Sequence, residues 1–136
     1  MTRAMSDYLF AYGTLQPAHA PDEVRALLAK LRYVGEASVR GVLYDLGDYP
    51  GAVLDSSFAS RVFGEVFELP DSEETLAALD SYEEFDPNAR GGSLFVRVRE
   101  PVALESGDVK RCWIYVYHRD PGAAPVIESG RYATRE

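Results

Sequence analysis

Alternating apolar and polar positions recur along most of this chain and predict β-strands. The segments with this period of two are DYLFAYG, ASVRGVLYDL, GAVLD, SRVFGEVFEL, SLFVRVREPVAL and VKRCWIYVY. The turn-rich tetrapeptides GDYP and ESGD predict two hairpins, each joining neighbouring strands. The tail after these strands is expected to add one short edge element at most. The pattern therefore favours about six strands in one sheet.

Two segments follow a helical period instead. PDEVRALLAKL has apolar residues at the i, i+3, i+4, i+7 spacing, namely Val24, Leu27, Leu28 and Leu31. PDSEETLAALDSYEE begins at a capping residue, Asp71, and turns Leu76 and Leu79 toward the interior. Six strands with two inserted helices predict an α+β fold, a small mixed β-barrel built on a curved or closed sheet.

Composition narrows the class of protein. The 136 residues are 46% hydrophobic and 12% aromatic, so we expect one folded domain over 1–136 with a core of its own. With 14 basic and 22 acidic residues the net charge is −8, which argues against binding nucleic acid or an anionic membrane by charge. The single cysteine, Cys112, and the lack of an apolar N-terminal run favour a cytoplasmic protein. The oligomeric state stays open between a monomer and a homodimer.

One candidate for chemistry is Glu83, near the end of the second helix. It follows Leu76 by seven residues and Leu79 by four, so it falls almost on the centre of the apolar stripe, while Glu84 lies nearer the rim. Burial disfavours the charged form of a carboxylate, and such a group can act as a general acid or base. The alternative is that Glu83 turns to water or pairs with an arginine. Spacing alone favours this alternative, because helix ends are poorly located from sequence.

The second candidate is the AYGTLQP loop after the first strand. Glycine has no Cβ, so the main-chain N–H groups of such a loop are open to a carboxylate or a developing oxyanion. An ordinary turn with Tyr12 packed in the core is equally compatible with the sequence.

Other candidates are weaker. The two histidines, His19 and His118, lack ligand spacing, so no metal site is expected. Asp45, Asp48 and Asp55 could in principle gather around a cation, but solvated aspartates in a turn are the better explanation. Cys112 lies in an apolar strand and is expected to be a packing residue. No phosphate-binding glycine motif or G-x-S-x-G motif occurs.

Five motifs together resemble the gamma-glutamylcyclotransferase-like family, in its AIG2-like and gamma-glutamylamine cyclotransferase branch. They occur in the family's order and cover about residues 8–132. They are YGTL, GVLYDLGDYPGAV, GEVFEL, LDSYEE and WIYVY. The resemblance implies a small β-barrel with flanking helices and a cofactor-free enzyme. Such an enzyme releases 5-oxoproline and an amine from a small gamma-glutamyl substrate.

The resemblance also implies roles for individual residues. Tyr12, Gly13, Thr14 and Leu15 correspond to the family's substrate-binding loop, and Glu83 corresponds to its catalytic proton acceptor. Glu84 stands where the family often has glycine, and we interpret it as a rim residue.

Two positions depart from the family pattern, and both bear on substrate identity. Phe95 stands where the family often has tyrosine, and Arg131 lies within the C-terminal stretch that differs from the family's glycine–aspartate–tryptophan. Two alternatives stay open: a barrel that binds a small metabolite without turning it over, and the same chemistry on a specialised biosynthetic intermediate.

Overall fold

The computed structural model describes residues 7–13, 22, 26, 28–47, 50–55, 57–69, 72–82, 95–118 and 120–132. The first predicted helix is represented by Asp22, Ala26 and Leu28, which are helical. The other elements, in chain order, are β1 (Asp7–Ala11), β2 (Arg32–Asp45), β3 (Pro50–Leu54), β4 (Arg61–Leu69), α1 (Ser72–Tyr82), β5 (Phe95–Leu104) and β6 (Val109–Tyr117).

The strands form a closed mixed barrel with one additional strand. Their order is β3-β2-β4-β1-β6-β5, and a further antiparallel pairing of β2 with β5, at Ala37 with Leu104, closes the ring. β1 and β6 are parallel, whereas the other paired strands are antiparallel. β3 extends from β2 outside the five-stranded ring. The predicted α+β fold with a small mixed barrel and two hairpins is confirmed.

Two apolar cores lie on opposite sides of the barrel wall. Alternation along β1 sends Phe10 into a core that consists of strand residues and sends Leu9 into a core shared with the helices. The second core contains Leu76 and Leu79, which are 7% and 0% exposed, as their helical spacing predicted. Burial of this stripe holds α1 against the outer wall of the barrel.

The start of β2 lies earlier than the sequence predicts. β2 begins at Arg32 rather than at Ala37, and its pairing with β4 is irregular between Tyr33 and Gly35. Residues 32–36 have no fully buried side chain, whereas every second residue from Ala37 to Leu43 is buried. Because the first part of the strand lacks a buried face, it shows no period of two in the sequence.

The polar turns and the tail agree with the sequence analysis. Asp45 accepts a hydrogen bond from the N–H of Gly47 at 2.9 Å, and Asp55 accepts one from the N–H of Ser57 at 2.9 Å, so both are turn aspartates. Asp48 lies outside the described residues. In the tail, Val126 forms a single antiparallel bridge with Tyr44. This is the short edge element that the sequence predicted.

Candidate active site

The end of β1 is tied to two other strands by the hydroxyl of Tyr12. This side chain is 6% exposed and belongs to the strand core. Its hydroxyl donates to the main-chain carbonyl of Tyr115 in β6 and accepts the N–H of Ala52 in β3 at 3.2 Å. Tyr12 is therefore a packed core residue, and its polar end fixes the point where the chain leaves β1 toward the YGTL loop.

Glycine lets these strands approach one another closely beside Tyr12. A Cβ on Gly13 would stand 2.8 Å from Cγ of Pro50, closer than carbon atoms normally approach. A Cβ on Gly51 would stand 2.7 Å from Cδ1 of Leu46 and 3.0 Å from Cβ of Tyr117. The ends of β1 and β6 and the start of β3 therefore meet with no side chain from either glycine between them.

Helix α1 is held on the outer face of β5 and β6 by a buried carboxylate, Asp80. Arg97 donates to it twice, from Nε to Oδ1 at 2.8 Å and from Nη2 to Oδ2 at 3.0 Å. The hydroxyl of Tyr115 donates to Oδ1 at 2.6 Å. The side chains of Arg97 and Asp80 are 15% and 9% exposed. A bidentate pair with a third donor fixes both the position and the direction of the carboxylate.

The surroundings of Arg97 keep it charged. Burial on its own would lower the pKa of this guanidinium, but the hydrogen bonds and the charge of Asp80 outweigh it and raise the pKa above its ordinary value. Its Cζ also lies 4.4 Å from the ring centroid of Trp113. The guanidinium of Arg97 is therefore charged and not a proton donor at neutral pH, and its two bonds to Asp80 hold α1 on the barrel.

The structure describes only part of the predicted site. β1 ends at Ala11, so Tyr12 and Gly13, which were expected as the last residues of the first strand, directly follow it. Thr14, Leu15, Glu83 and Glu84 lie outside the described residues. α1 is described as far as Tyr82, the residue before Glu83. The catalytic and binding roles implied for these residues stay predictions.

The residues that anchor α1 were missed in the sequence analysis. Asp80 is four residues after Leu76 and adjacent to Leu79, so the helical period places it about 70° from the centre of the inward stripe, at the edge of the stripe, whereas Glu83 falls about 10° from the centre. That signal was available, because a carboxylate on such a stripe needs a buried partner. The identity of the partners was not available, since it depends on the register that sets Arg97 opposite Tyr115.

The five family-like motifs form one connected region. YGTL begins with the residues that contact Pro50 and Tyr115, and a Cβ on Gly64 of GEVFEL would stand 2.2 Å from the carbonyl oxygen of Ala11. LDSYEE contributes Asp80, which binds Tyr115 of WIYVY. The motifs therefore mark one end of the barrel and the helix bound beside it.

The two departures from the family pattern have ordinary structural partners. Phe95 is buried, and its ring packs edge-on against Tyr117 with centroids 5.6 Å apart. The guanidinium of Arg131 lies 4.3 Å from the ring centroid of Phe63. Phe95 thus lies beside Tyr117 at the end of β6, and Gly51 packs closely against the same tyrosine.

In the described part of the chain, no group of three or more His, Cys, Asp or Glu side chains is arranged to hold a metal ion. Nor does any helix described there have the length and apolar character needed to cross a membrane. Cys112 is buried, and burial raises the pKa of its thiol to about 12, so it is a packing residue, as predicted.

The fold and the site define a class of protein. It is a small mixed barrel in which Tyr12, directly after β1, and Asp80, on α1, both bond to β6. The comparison with protein families specifies it further. A family model described as gamma-glutamyl cyclotransferase, AIG2-like, matches residues 9–134. The chain belongs to this family.

Individual relatives agree with this assignment. The chain is 33% identical over 131 residues to the gamma-glutamylcyclotransferase family protein ytfP of Citrobacter rodentium, with coverage of 94% of this chain and 96% of the relative. The structure of YkqA from Bacillus subtilis matches with a TM-score of 0.70 at 25% identity, covering 94% of this chain but 40% of YkqA. An AIG2-like protein from Mus musculus shares the fold, with a TM-score of 0.66 at 22% identity over 98% of this chain and 99% of that one.

Proposed function

We propose that this protein is a cofactor-free cyclotransferase that releases 5-oxoproline and a free amine from a gamma-glutamyl amide. The carrying observation is that Tyr12 at the start of the YGTL loop and Asp80 on α1 both bond to one residue of β6, Tyr115. The loop that would bind substrate and the helix that leads to Glu83 are thus attached to the same point of the barrel. Membership of the gamma-glutamyl cyclotransferase family supports this reaction type.

The reaction is an internal acyl transfer. The α-amino nitrogen of the glutamyl group attacks its own γ-carbonyl carbon, one N–C bond forms, and the C–N bond to the leaving amine breaks. The two protons lost by the α-ammonium group end on the departing amine. Because nucleophile and carbonyl belong to one molecule, holding a folded conformer provides a large share of the rate enhancement.

In this proposal Glu83 takes the first proton from the α-ammonium group and returns it to the leaving nitrogen. The main-chain N–H groups around Gly13, Thr14 and Leu15 bind the substrate and polarise its γ-carbonyl. The buried ring and bonded hydroxyl of Tyr12 support this division of roles, because they suit a residue that shapes the loop. The buried thiol of Cys112 fits a reducing cytoplasm as the place of action.

The leading alternative within this family is the same chemistry on a specialised gamma-glutamyl intermediate. Phe95 supports this alternative, because its apolar ring, packed against Tyr117, stands where the family often has a tyrosine hydroxyl. A barrel that binds a metabolite without turnover is less favoured, since the helical spacing predicts Glu83 on the apolar stripe, and a buried carboxylate with neither a partner nor a catalytic role costs stability.

A product assay tests the proposal. The purified chain is incubated with gamma-glutamyl amino acids, gamma-glutamyl amines and Nε-gamma-glutamyl-lysine, and 5-oxoproline is measured by mass spectrometry. We expect 5-oxoproline from at least one class of these compounds, and the best substrate identifies the leaving group. A folded protein that binds a member of the panel but releases no 5-oxoproline would support the binding barrel instead.

A further inference from the structure

A continuous series of hydrogen bonds crosses the barrel wall at Tyr115. On the outer side, its hydroxyl bonds to Asp80, which also holds Arg97. On the inner side, its carbonyl accepts the hydroxyl of Tyr12, which in turn accepts the N–H of Ala52. This series links Tyr115 of β6 with residues of α1, β3 and β5 and with Tyr12, which directly follows β1.

We propose that Asp80 is a positioning residue for the cyclotransferase reaction, holding the C-terminal end of α1 at a set distance from the YGTL loop. The inference rests on the proposed function, since it concerns the geometry between Glu83 and the substrate loop. Asp80 is three residues before Glu83 in the chain, so a displacement of the last turn of α1 is carried directly into the residue that follows Tyr82.

The geometry around Asp80 is more constraining than an anchor for a helix requires. Its carboxylate is held by donors from two different strands, Arg97 of β5 and Tyr115 of β6, at distances between 2.6 and 3.0 Å. The apolar contacts of Leu76 and Leu79 already attach the helix to the wall. Such contacts are non-directional, whereas three hydrogen bonds define the orientation of the helix end.

The same face of the barrel contains a comparable pair that serves as a control. Asp7 and Arg99 form a single contact at 3.3 Å, with the Arg99 and Asp7 side chains 37% and 23% exposed. Asp7 lies at the start of β1, the opposite end of that strand from Tyr12. Asp7→Asn therefore makes the same chemical change as Asp80→Asn, in a pair that has no bond to Tyr115 among the described contacts.

The test compares kcat and KM for Asp80→Asn, Tyr115→Phe and Asp7→Asn in the full-length chain, at a temperature where each variant is folded by near-ultraviolet circular dichroism. A displacement of about 1 Å can lower a rate by roughly 100-fold. We expect kcat to fall at least about tenfold for Asp80→Asn and Tyr115→Phe, with KM within about twofold of the native value. Asp7→Asn is expected to keep native kcat and KM.

A fourth variant separates positioning from stability. Asp80→Glu keeps the charge for Arg97 but is one methylene longer, so it changes the spacing between α1 and β5. We expect its melting temperature to lie closer to the native value than that of Asp80→Asn, while its kcat stays low. Full recovery of kcat together with stability would assign Asp80 a structural role alone and overturn the proposal.

The remaining outcomes also separate the two claims. Native kcat in folded Asp80→Asn overturns the positioning role and leaves the proposed function intact. A native chain that forms no 5-oxoproline rejects the proposed function and the positioning role together. Hydrogen exchange over residues 74–82 checks the physical premise in either case, since unchanged exchange in Asp80→Asn would show that this carboxylate does not hold α1.

Discussion

The close contact between Gly13 and Pro50 predicts a specific cost for adding one methyl group. In Gly13→Ala the new Cβ would stand 2.8 Å from Cγ and 3.3 Å from Cδ of Pro50. Carbon atoms normally pack at about 3.5–4.0 Å, so the strands must separate by several tenths of an ångström. Pro50 is a rigid ring, and its neighbour Gly51 is itself packed tightly against Leu46 and Tyr117, so retreat is difficult.

Overpacking of this kind costs about 1–3 kcal/mol in the free energy of unfolding. For a chain of 136 residues this corresponds to a melting temperature lower by about 4–10 °C. The same displacement moves the main-chain N–H groups that we propose bind substrate, so KM for the best gamma-glutamyl substrate is expected to rise. Urea unfolding and steady-state kinetics measure the two effects separately.

Gly35→Ala is a matched control for this substitution. A Cβ on Gly35 would lie 3.7 Å from Cδ2 of Leu104, which is an ordinary contact, and its backbone is not in the left-handed region. We expect this variant to be unchanged or more stable by about 0.4–1 kcal/mol, because alanine restricts the unfolded chain. Equal unfolding free energies for Gly13→Ala and Gly35→Ala, with equal KM, would refute the close approach at Gly13.

Three further predictions concern stability and reactivity. Tyr12→Phe is expected to lower the free energy of unfolding in urea by about 1–3 kcal/mol, because it removes both buried hydrogen bonds of the Tyr12 hydroxyl. Tyr33 is 51% exposed, so Tyr33→Phe is expected to keep the native value, and equal urea midpoints for the two variants would contradict this. Arg97→Met is expected to lower the free energy of unfolding by about 3–5 kcal/mol, because the buried carboxylate of Asp80 loses its ion pair. Arg32→Met removes an exposed pair and should have no measurable effect, so similar losses for the two variants would contradict the role of burial. Burial raises the pKa of the Cys112 thiol to about 12, so the thiol is protonated at pH 8 and a thiol reagent is expected to label it slowly in the folded protein. Stoichiometric labelling of Cys112 within minutes would contradict its burial.

Local features of the fold were predictable because their causes lie close together in sequence. The GDYP and ESGD hairpins follow from alternating strands around turn residues, and α1 follows from the stripe that Leu76 and Leu79 begin. Closure of the barrel was left open as a curved or closed sheet. The pairing that closes it, Ala37 with Leu104, joins residues far apart in the chain and has no short-range signal.

The site was predictable to a smaller extent for the same reason. Tyr12 and Gly13 could be singled out because a glycine after a strand leaves main-chain donors open. The link from Asp80 through Tyr115 to Tyr12 depends on which strand faces α1 and on parallel pairing of β1 with β6. Neither is determined by residue spacing within one segment.

The central claim is that Glu83 is the proton acceptor of a cyclotransferase, and Glu84 provides the control beside it. Glu83→Gln and Glu84→Gln remove one charge each at adjacent positions without a change of size. The decisive measurement is the rate of 5-oxoproline release by the two variants and the native chain, with all three folded and substrate affinity measured in parallel. We predict that Glu83→Gln still binds substrate and releases no 5-oxoproline, while Glu84→Gln stays close to native. Undiminished release by Glu83→Gln would contradict the account.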